Sequence, residues 1–135
     1  MRRIPYLIIE ILLIVFVLQV TDFLVLRSGH ALINHNYFLG FVPDQFLWLS
    51  LVLILLGVLI YLSMQKIITP MLFVIVFASA FSNMLDRLSY GGVIDYLALP
   101  KFPVFNLADI LIVFSAIIFS LFSIRSQKNK TPSET

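Results

Sequence analysis

Four long apolar runs restrict the fold of this chain more than any other feature of its sequence. The runs cover Ile4–Leu26, Phe46–Met64, Ile68–Leu88 and Val104–Ile124. A helix rises about 1.5 Å per residue, so roughly 20 apolar residues cross the ~30 Å of hydrocarbon in a bilayer. Backbone groups in lipid must be hydrogen-bonded within their own segment, and we therefore expect four transmembrane helices.

The composition favours lipid over water as the solvent of this chain. Hydrophobic residues make up 61% of the 135 positions and charged residues only 12%, too few to cover a globular surface in water. The absence of cysteine excludes disulfides, thiol nucleophiles and thiolate metal ligands. The net charge of +2 comes from scattered basic residues, so we expect no nucleic-acid partner.

The placement of lysine and arginine predicts the orientation of the helices, because basic residues are enriched on the cytoplasmic side. With the N-terminus inside, six basic residues are cytoplasmic and three are external. The two sets are Arg2, Arg3, Lys66, Arg125, Lys128 and Lys130, against Arg27, Arg87 and Lys101. We expect both termini in the cytoplasm, an uncleaved transmembrane domain over residues 1–125, and a polar, disordered tail over 126–135.

The two external connections, Arg27–Gln45 and Ser89–Pro103, are richer in apolar residues than ordinary loops. Such segments are typical of short strands or an amphipathic helix that lies on the membrane surface. The Gly91-Gly92 pair indicates a turn between them and the third helix. The predicted fold class is an all-α integral membrane protein with four transmembrane helices and a small extracytoplasmic β and loop region.

Polar side chains concentrate near the external ends of the predicted helices. Ionisable residues in or near a spanning helix are costly and usually functional. The set comes from four separate stretches of sequence that the topology brings to one membrane face. Its members are Asp22, Asn83, Asp86, Arg87, Asp95, Asn106 and Asp109.

Asp95 and Asp109 are the candidate catalytic pair in this set. Two neighbouring carboxylates can share one proton, so that one acts as a base on water while the other protonates the carbonyl or leaving group. Because the chain has no cysteine, no metal-like spacing of His, Asp and Glu and no Ser–His arrangement, the sequence offers no other catalytic constellation. In the alternative interpretation, Asp109 is an anion favoured by a helix dipole and Asp95 is a solvated loop charge.

The neighbouring polar residues are open to a supporting or a structural interpretation. Asn106 lies three residues before Asp109, where it could bind a substrate backbone, orient the carboxylates, or simply cap the fourth helix. Arg87 can bind a carboxylate or a lipid phosphate through two hydrogen bonds. For Asp86 a structural ion pair at the helix end is expected, and Asp22 is expected to bond a loop or pair with Arg27.

Three motifs together resemble the signature of the lipoprotein signal peptidases, the signal peptidase II family. Residues 83–88 (NMLDRL) resemble G-N-x-x-D-R-L, residues 91–96 (GGVIDY) resemble G-x-V-x-D-F, and residues 105–109 (FNLAD) resemble F-N-x-A-D. Asp22 matches an aspartate near the end of the first helix, and residues 36–41 (NYFLGF) resemble N-x-G-x-x-F. The resemblance covers nearly the whole chain.

The resemblance implies an aspartyl endopeptidase of the bacterial inner membrane with its active site near the extracytoplasmic face. Such enzymes remove the signal peptide of a prolipoprotein just before a cysteine that carries diacylglycerol. The implied partners are this diacylglyceryl prolipoprotein and membrane lipid, without metal or cofactor, and the oligomeric state is not predicted. Asp95 and Asp109 are the implied catalytic residues. The implied supporting residues are Asp22, Asn36, Asn83, Arg87 and Asn106.

Three departures from the family pattern concern substrate range more than chemistry. Ser82 replaces the glycine before Asn83, Phe38 replaces the glycine of N-x-G, and the interval between Asp95 and Asp109 is short. The Phe38 departure leaves open a non-catalytic relative that binds lipid-modified peptides or scaffolds a membrane complex. A small transporter subunit is a third hypothesis, but the helices offer no continuous polar path for it.

Overall fold

The structure is a computed structural model that describes residues 4–35 and 45–128. The described part contains four helices and two short strands. In chain order they are α1 (Ile4–Arg27), β1 (Leu32–Asn34), α2 (Gln45–Met64), α3 (Pro70–Tyr90), β2 (Val93–Asp95) and α4 (Leu107–Lys128). A helical architecture with one small sheet confirms the coarse fold prediction. The predicted supporting residue Asn36 and its motif, residues 36–41, lie outside the described residues.

α3 begins at Pro70, two residues after the start of the predicted run, because Thr69 caps the helix. The Thr69 Oγ1 accepts a hydrogen bond of 3.3 Å from the Leu72 backbone N–H. The backbone of Thr69 is extended, and proline follows it at the first helical position, where its missing N–H is harmless. Cap chemistry therefore overrides the apolar pattern at this boundary.

α4 also differs from the predicted run at both ends. It begins at Leu107 instead of Val104, because the preceding Asn106 caps it. It continues to Lys128, four residues beyond the predicted end at Ile124, since arginine, glutamine and lysine, three of these four residues, favour helix. Residues 129–135 are outside the part of the chain that the structure describes.

α3 is the central helix of the bundle, because it packs against α1, α2 and α4. Its inner face carries the fully buried small residues Ala78, Ser79 and Ser82. Small side chains let neighbouring helices approach closely in a membrane, where no hydrophobic force drives them together. The residues at the end of α3 are consequently held from several sides.

The outward surfaces of the helices are apolar. Large side chains such as Phe16 on α1, Ile54 on α2 and Phe114 on α4 are mostly exposed. By length and composition, Pro5–Arg27 and Pro70–Tyr90 can cross a membrane, with mean hydropathies of 2.5 and 1.5, and two shorter apolar stretches accompany them. Apolar surface of this extent is suited to lipid and not to water.

β1 and β2 form a two-stranded antiparallel sheet beyond the ends of α1 and α3. The register pairs Leu32 with Asp95 and Asn34 with Val93. Gly91 ends α3 in the left-handed conformation (φ 72°), so the chain turns back into β2 immediately. Gly92 then passes so close to β1 that a Cβ would lie 2.7 Å from the Asn34 carbonyl oxygen. The predicted Gly-Gly turn thus delivers Asp95 to the bundle end.

A narrow hairpin connects β2 to α4. Leu97 and Phe105 exchange backbone hydrogen bonds of 2.8 and 3.0 Å across it. Lys101, with a φ of 69°, lies at its tip. The hairpin brings the start of α4 back beside the end of β2, so the short interval between Asp95 and Asp109 is long enough to place both at one site.

Candidate active site

The two strands and the ends of α1, α3 and α4 bring together the polar residues selected from the sequence. The carboxylates of Asp22, Asp86, Asp95 and Asp109 are close enough to interact electrostatically. Arg87, in the last turn of α3, is buried beside them. The described part of the candidate site therefore combines four carboxylates with one guanidinium group.

Asp109 is held by hydrogen bonds to both of its carboxylate oxygens. The Asn83 Nδ2 donates to Oδ1 at 2.9 Å, and the Asn106 backbone N–H donates to Oδ2 at 3.3 Å. In return, the Asp109 N–H donates to the Asn106 Oδ1 at 2.9 Å, which is the reciprocal arrangement of a capping box. These donors and the helix N-terminus all stabilise a negative charge on Asp109.

Asn106 combines the capping role with a link to α3. It is fully buried, and its Nδ2 donates to the Asn83 Oδ1 at 2.9 Å. Asn83 in turn donates to Asp109, so the two amides and the carboxylate form a closed set of hydrogen bonds. The capping interpretation of Asn106 is confirmed, and the same side chain also helps to orient Asp109.

Asp95 has a drier and less saturated environment than Asp109. It is 3% exposed on β2, so its interpretation as a solvated loop charge is wrong. The Asn34 Nδ2, diagonally across the sheet, donates to its Oδ2 at 2.8 Å. Its Oδ1 is buried and has no hydrogen-bond partner among the described residues. The hydrogen-bonding capacity of that oxygen is therefore unused by the described residues.

Burial raises the pKa of Asp95 to about 6, because an ionised carboxylate loses solvation there. The hydrogen bond from Asn34 opposes this shift, and so does the positive charge of Arg87. The negative charges of Asp109 and Asp86 reinforce it. Asp95 can therefore carry a proton close to neutral pH.

Asp86 joins α3 to α1 and to β2. The Gln19 Nε2 donates to its Oδ1 at 2.8 Å, and the Ile94 N–H approaches its Oδ2 at 3.4 Å. The same Gln19 nitrogen lies 3.1 Å from the hydroxyl of Ser82, the residue that departs from the family glycine. Asp86 is thus held by hydrogen bonds from Gln19 and Ile94 with the charge of Arg87 nearby, and the ion pair expected for it stays a prediction.

Asp22 bonds a loop residue, which was one of its two expected roles. It is 2% exposed and accepts a hydrogen bond from the Tyr96 hydroxyl. That hydroxyl in turn accepts the Leu107 N–H at 3.3 Å. The guanidinium of Arg27 lies instead over the ring of Phe23, 5.0 Å from its centroid.

Sequence reasoning missed Asn34, Tyr96 and Gln19 as site residues. Asn34 carries no motif of its own, since Asn36 is the residue that fits the family pattern, and strand register is not readable from a three-residue strand. Tyr96 matches the aromatic position of its motif, which does not specify a hydroxyl. Gln19 lies three residues before Asp22, on the same helix face, and that spacing was the available signal.

A groove of about 570 Å³ opens beside Asp95. One wall is β1 with the adjacent His35, and the other is the Pro103-Val104 end of the hairpin. Within the described ranges, no three acidic, histidine or cysteine side chains are arranged to hold a metal ion. The chemistry that this arrangement can support is proton transfer among carboxylates beside a groove lined by both polar and apolar side chains.

Comparison with protein families gives one match over most of the chain. The model for signal peptidase (SPase) II matches residues 30–125. The lipoprotein signal peptidase of Moorella thermoacetica is 39% identical over 66 residues, which are 49% of this chain and 44% of that protein. The lipoprotein signal peptidase of Haemophilus influenzae PittGG is 31% identical over 72% of this chain and 64% of its own length.

The matched lengths differ among relatives. The chain spans about half to two thirds of these two curated relatives, whereas its match to the lipoprotein signal peptidase of Caldanaerobacter subterraneus covers 90% of that protein at 27% identity. Two solved structures of bacterial membrane enzymes share the fold. The first has a TM-score of 0.79, and the match covers 98% of this chain and 95% of that chain. The second has a TM-score of 0.72, and the match covers 90% of this chain and 93% of that chain. Both are 20% identical in sequence to this chain.

The apolar helix surfaces and the membrane-enzyme fold agree that this is an integral membrane protein. The relatives carry one activity name, and the family match includes the segments that hold Asn83, Asp95 and Asp109. The chain therefore belongs to the signal peptidase II family, a family of proteases.

Proposed function

We propose that this protein is a membrane aspartyl endopeptidase that removes signal peptides from diacylglyceryl-modified prolipoproteins, cutting before the lipidated cysteine. The observation that carries the proposal is that two unlike carboxylates interact electrostatically in one cluster, and that one of them, Asp95, lines a groove. Asp109 has donors on both oxygens, while Asp95 has one buried oxygen with no partner among the described residues. The names of the relatives point to the same activity.

The two environments give the aspartates different roles. Asp109 carries the negative charge and acts as the base, because its donors and the helix N-terminus stabilise that charge. Asp95 carries the shared proton, since burial raises its pKa to about 6. One ionised and one protonated carboxyl group are what general acid–base hydrolysis of an amide requires.

The reaction proceeds in two proton-balanced steps. Asp109 takes a proton from water as the water oxygen bonds to the peptide carbonyl carbon, and Asp95 gives its proton to the carbonyl oxygen. In the second step the C–N bond breaks, Asp109 returns its proton to the departing amine, and Asp95 recovers a proton from the intermediate hydroxyl. The products are a carboxylic acid and a free amine, and both aspartates return to their starting states.

The remaining selected residues support this pair. Asn83 and Asn106 orient Asp109, and Arg87 offsets the negative charge around Asp95. Asp22 holds the loop that follows Asp95. Asn36 stays a predicted supporting residue, because it lies outside the described part of the chain.

We propose that the protein lies in the bacterial inner membrane, as the family resemblance implies, and that its helix order sets which face carries the site. Four successive crossings with the N-terminus in the cytoplasm put the ends of α1 and α3 and the start of α4 on the extracytoplasmic face. The signal-peptide helix would lie among the transmembrane helices with its diacylglycerol in the bilayer. A non-catalytic scaffold is disfavoured, because closely spaced buried carboxylates cost free energy that only a reaction requires.

The test is a gel-shift cleavage assay in detergent with a diacylglyceryl-modified prolipoprotein. The wild type is expected to release the signal peptide, and Asp109→Asn and Asp95→Asn are expected to leave the precursor intact. Glu10→Gln is a matched control, because it neutralises an exposed carboxylate near the opposite end of α1.

Cleavage by Asp109→Asn at the wild-type rate would overturn the aspartyl mechanism. No cleavage by the wild type, while a lipoprotein signal peptidase from another bacterium works in parallel, would instead favour the binding or scaffolding alternative.

A further inference from the structure

Tyr96 makes hydrogen bonds to three segments of the chain. Its hydroxyl accepts the Leu107 N–H at 3.3 Å and donates to the carboxylate of Asp22. Its backbone N–H donates to the Phe105 carbonyl oxygen at 3.1 Å. One residue thus contacts α1, the end of the hairpin and the first residue of α4.

The position of Tyr96 gives these contacts their significance. It directly follows Asp95, while Leu107 lies two residues before Asp109 at the start of α4. The backbone and side chain of Tyr96 bind the residues on both sides of Asn106, the cap of α4. The segments that carry the two carboxylates of the proposed reaction are therefore joined through this side chain.

Each partner of the hydroxyl needs such a contact. The Leu107 N–H is one of the unpaired donors at a helix N-terminus, which must find a partner outside the helix. Asp22 is 2% exposed, and a buried carboxylate without donors is strongly unfavourable. A phenylalanine at position 96 would fill the same space and serve neither partner.

The Tyr96 hydroxyl keeps its proton over the working pH range. Burial and the charge of Asp22 raise the pKa of Tyr96 to about 12. The hydroxyl therefore stays protonated, donates its only proton to Asp22 and keeps a lone pair for Leu107.

We infer that the Tyr96 hydroxyl is a positioning group that fixes the separation of Asp95 and Asp109 by holding the start of α4 against Asp22. The inference rests on the proposed function for its catalytic consequence. In the motif to which residues 91–96 were matched, this position is phenylalanine, so the hydroxyl and its link to Asp22 distinguish this chain from that pattern.

The test compares Tyr96→Phe with Tyr90→Phe in the cleavage assay. Tyr90 is a partly exposed tyrosine at the end of α3, and the same single oxygen is removed there. Because small misplacements of reacting groups are costly, we expect Tyr96→Phe to lower kcat about tenfold while KM stays within about twofold. Tyr90→Phe is expected to retain wild-type kinetics. A raised KM with unchanged kcat in Tyr96→Phe would overturn the inference and assign Tyr96 to substrate binding.

A double-mutant cycle identifies the partner. Asp22→Leu removes the acceptor and is expected to reproduce the loss of kcat seen in Tyr96→Phe. Combining the two substitutions should then add little further loss, because both break the same contact. Losses that multiply would show that the two residues act separately, and the inferred link would be wrong.

Amide hydrogen exchange at Leu107 tests the link without relying on activity. We expect exchange at this amide to accelerate several-fold in Tyr96→Phe and to be unchanged in Tyr90→Phe. Unchanged exchange together with unchanged kcat would overturn the inference. If the wild type does not cleave, the proposed function fails, and the exchange rate alone decides whether Tyr96 fixes α4 to the Asp95 segment.

Discussion

Asp95 and Asp109 have the same side chain but are held in opposite ways. Asp109 lies in the first turn of a helix, where two hydrogen-bond donors reach its two oxygens. Asp95 lies on a three-residue strand, where it is 3% exposed and one oxygen accepts from Asn34. A helix N-terminus supplies donors that stabilise a carboxylate, whereas a buried strand position favours a carboxyl group that takes up a proton.

The difference shows how a short chain can produce two chemical roles from one residue type. Asp109 receives one donor from the backbone of the helix cap, Asn106, and one from the Asn83 amide of the neighbouring helix α3. The sheet supplies burial to Asp95 and only one side-chain donor. The predictions below test whether this asymmetry determines activity, stability and pH dependence.

The largest expected effect is on turnover. Asp95→Asn and Asp109→Asn should each lower kcat by roughly 10³-fold or more, because each removes one half of the proton transfer. The double variant should be little worse than either single variant, since the two residues act as a unit. Steady-state kinetics with the lipidated precursor provide the measurement. A double variant whose loss is the product of the single losses would show that the aspartates do not act as a pair.

The second prediction is that the same two substitutions change stability in opposite directions. The pKa of Asp95 is about 6 in the folded protein, against 3.8 for an ordinary aspartate. Above pH 6 the folded protein must therefore bury an ionised Asp95, and this lowers the free energy of unfolding. Asp95→Asn should raise the free energy of unfolding there by up to about 3 kcal/mol. Asp109→Asn should lower it by ~1–2 kcal/mol, because an amide nitrogen would face a donor.

Thermal unfolding in detergent checks this contrast at two pH values. The advantage of Asp95→Asn over the wild type should be full above pH 6 and vanish below pH 3.8, where the wild-type carboxyl group is protonated in both states. Asp109→Asn should be less stable than the wild type above pH 6. Equal shifts for the two variants would remove the basis for assigning them different roles.

The sequence predicts the helices better than it predicts the contacts of the site. Long apolar runs reveal spanning helices because every residue contributes to the same signal, and the main errors came from the caps Thr69 and Asn106. The polar cluster was predictable because charges are rare in this chain. Asn34 and Tyr96 were missed, since their roles depend on strand register and on one hydroxyl, which no periodicity encodes.

The third prediction concerns the sheet that holds Asp95. Gly92→Ala would place a Cβ 2.7 Å from the Asn34 carbonyl oxygen and 2.8 Å from the Ile33 Cγ2, so β1 must move away. Overpacking of this kind costs about 1–3 kcal/mol and should weaken the contact between Asn34 and Asp95. We expect kcat/KM to fall about tenfold, less than for the aspartate substitutions.

Gly57→Ala is the control for this change. Gly57 lies within α2, and outside the adjacent backbone of this helix no atom of the described residues would come within 4 Å of its new Cβ. Alanine favours helix over glycine by about 1 kcal/mol, so activity should be retained with equal or higher stability. If Gly92→Ala keeps full activity, the sheet tolerates displacement and the position of Asp95 does not depend on the pairing of β1 with β2.

The smallest expected effect is a shift of the pH profile. If Asp95 must donate a proton, kcat/KM should fall as the pH rises through about 6, the pKa of this carboxyl group in the free enzyme. Asn34 stabilises the ionised form, so Asn34→Ala should raise this pKa and move the decline about one pH unit upward. Asn83→Ala, which removes a donor from Asp109, should leave that decline in place.

The sign of the measured profile decides between the two assignments of the pair. A kcat/KM that instead falls as the pH is lowered through about 6 would mean that Asp95 must be ionised to react. Asp95 would then be the base, and its oxygen without a partner among the described residues would receive the proton of water. In that case the donors around Asp109 would serve to orient it. The two environments would still give the aspartates different roles, with Asp95 as the base and Asp109 as the proton donor.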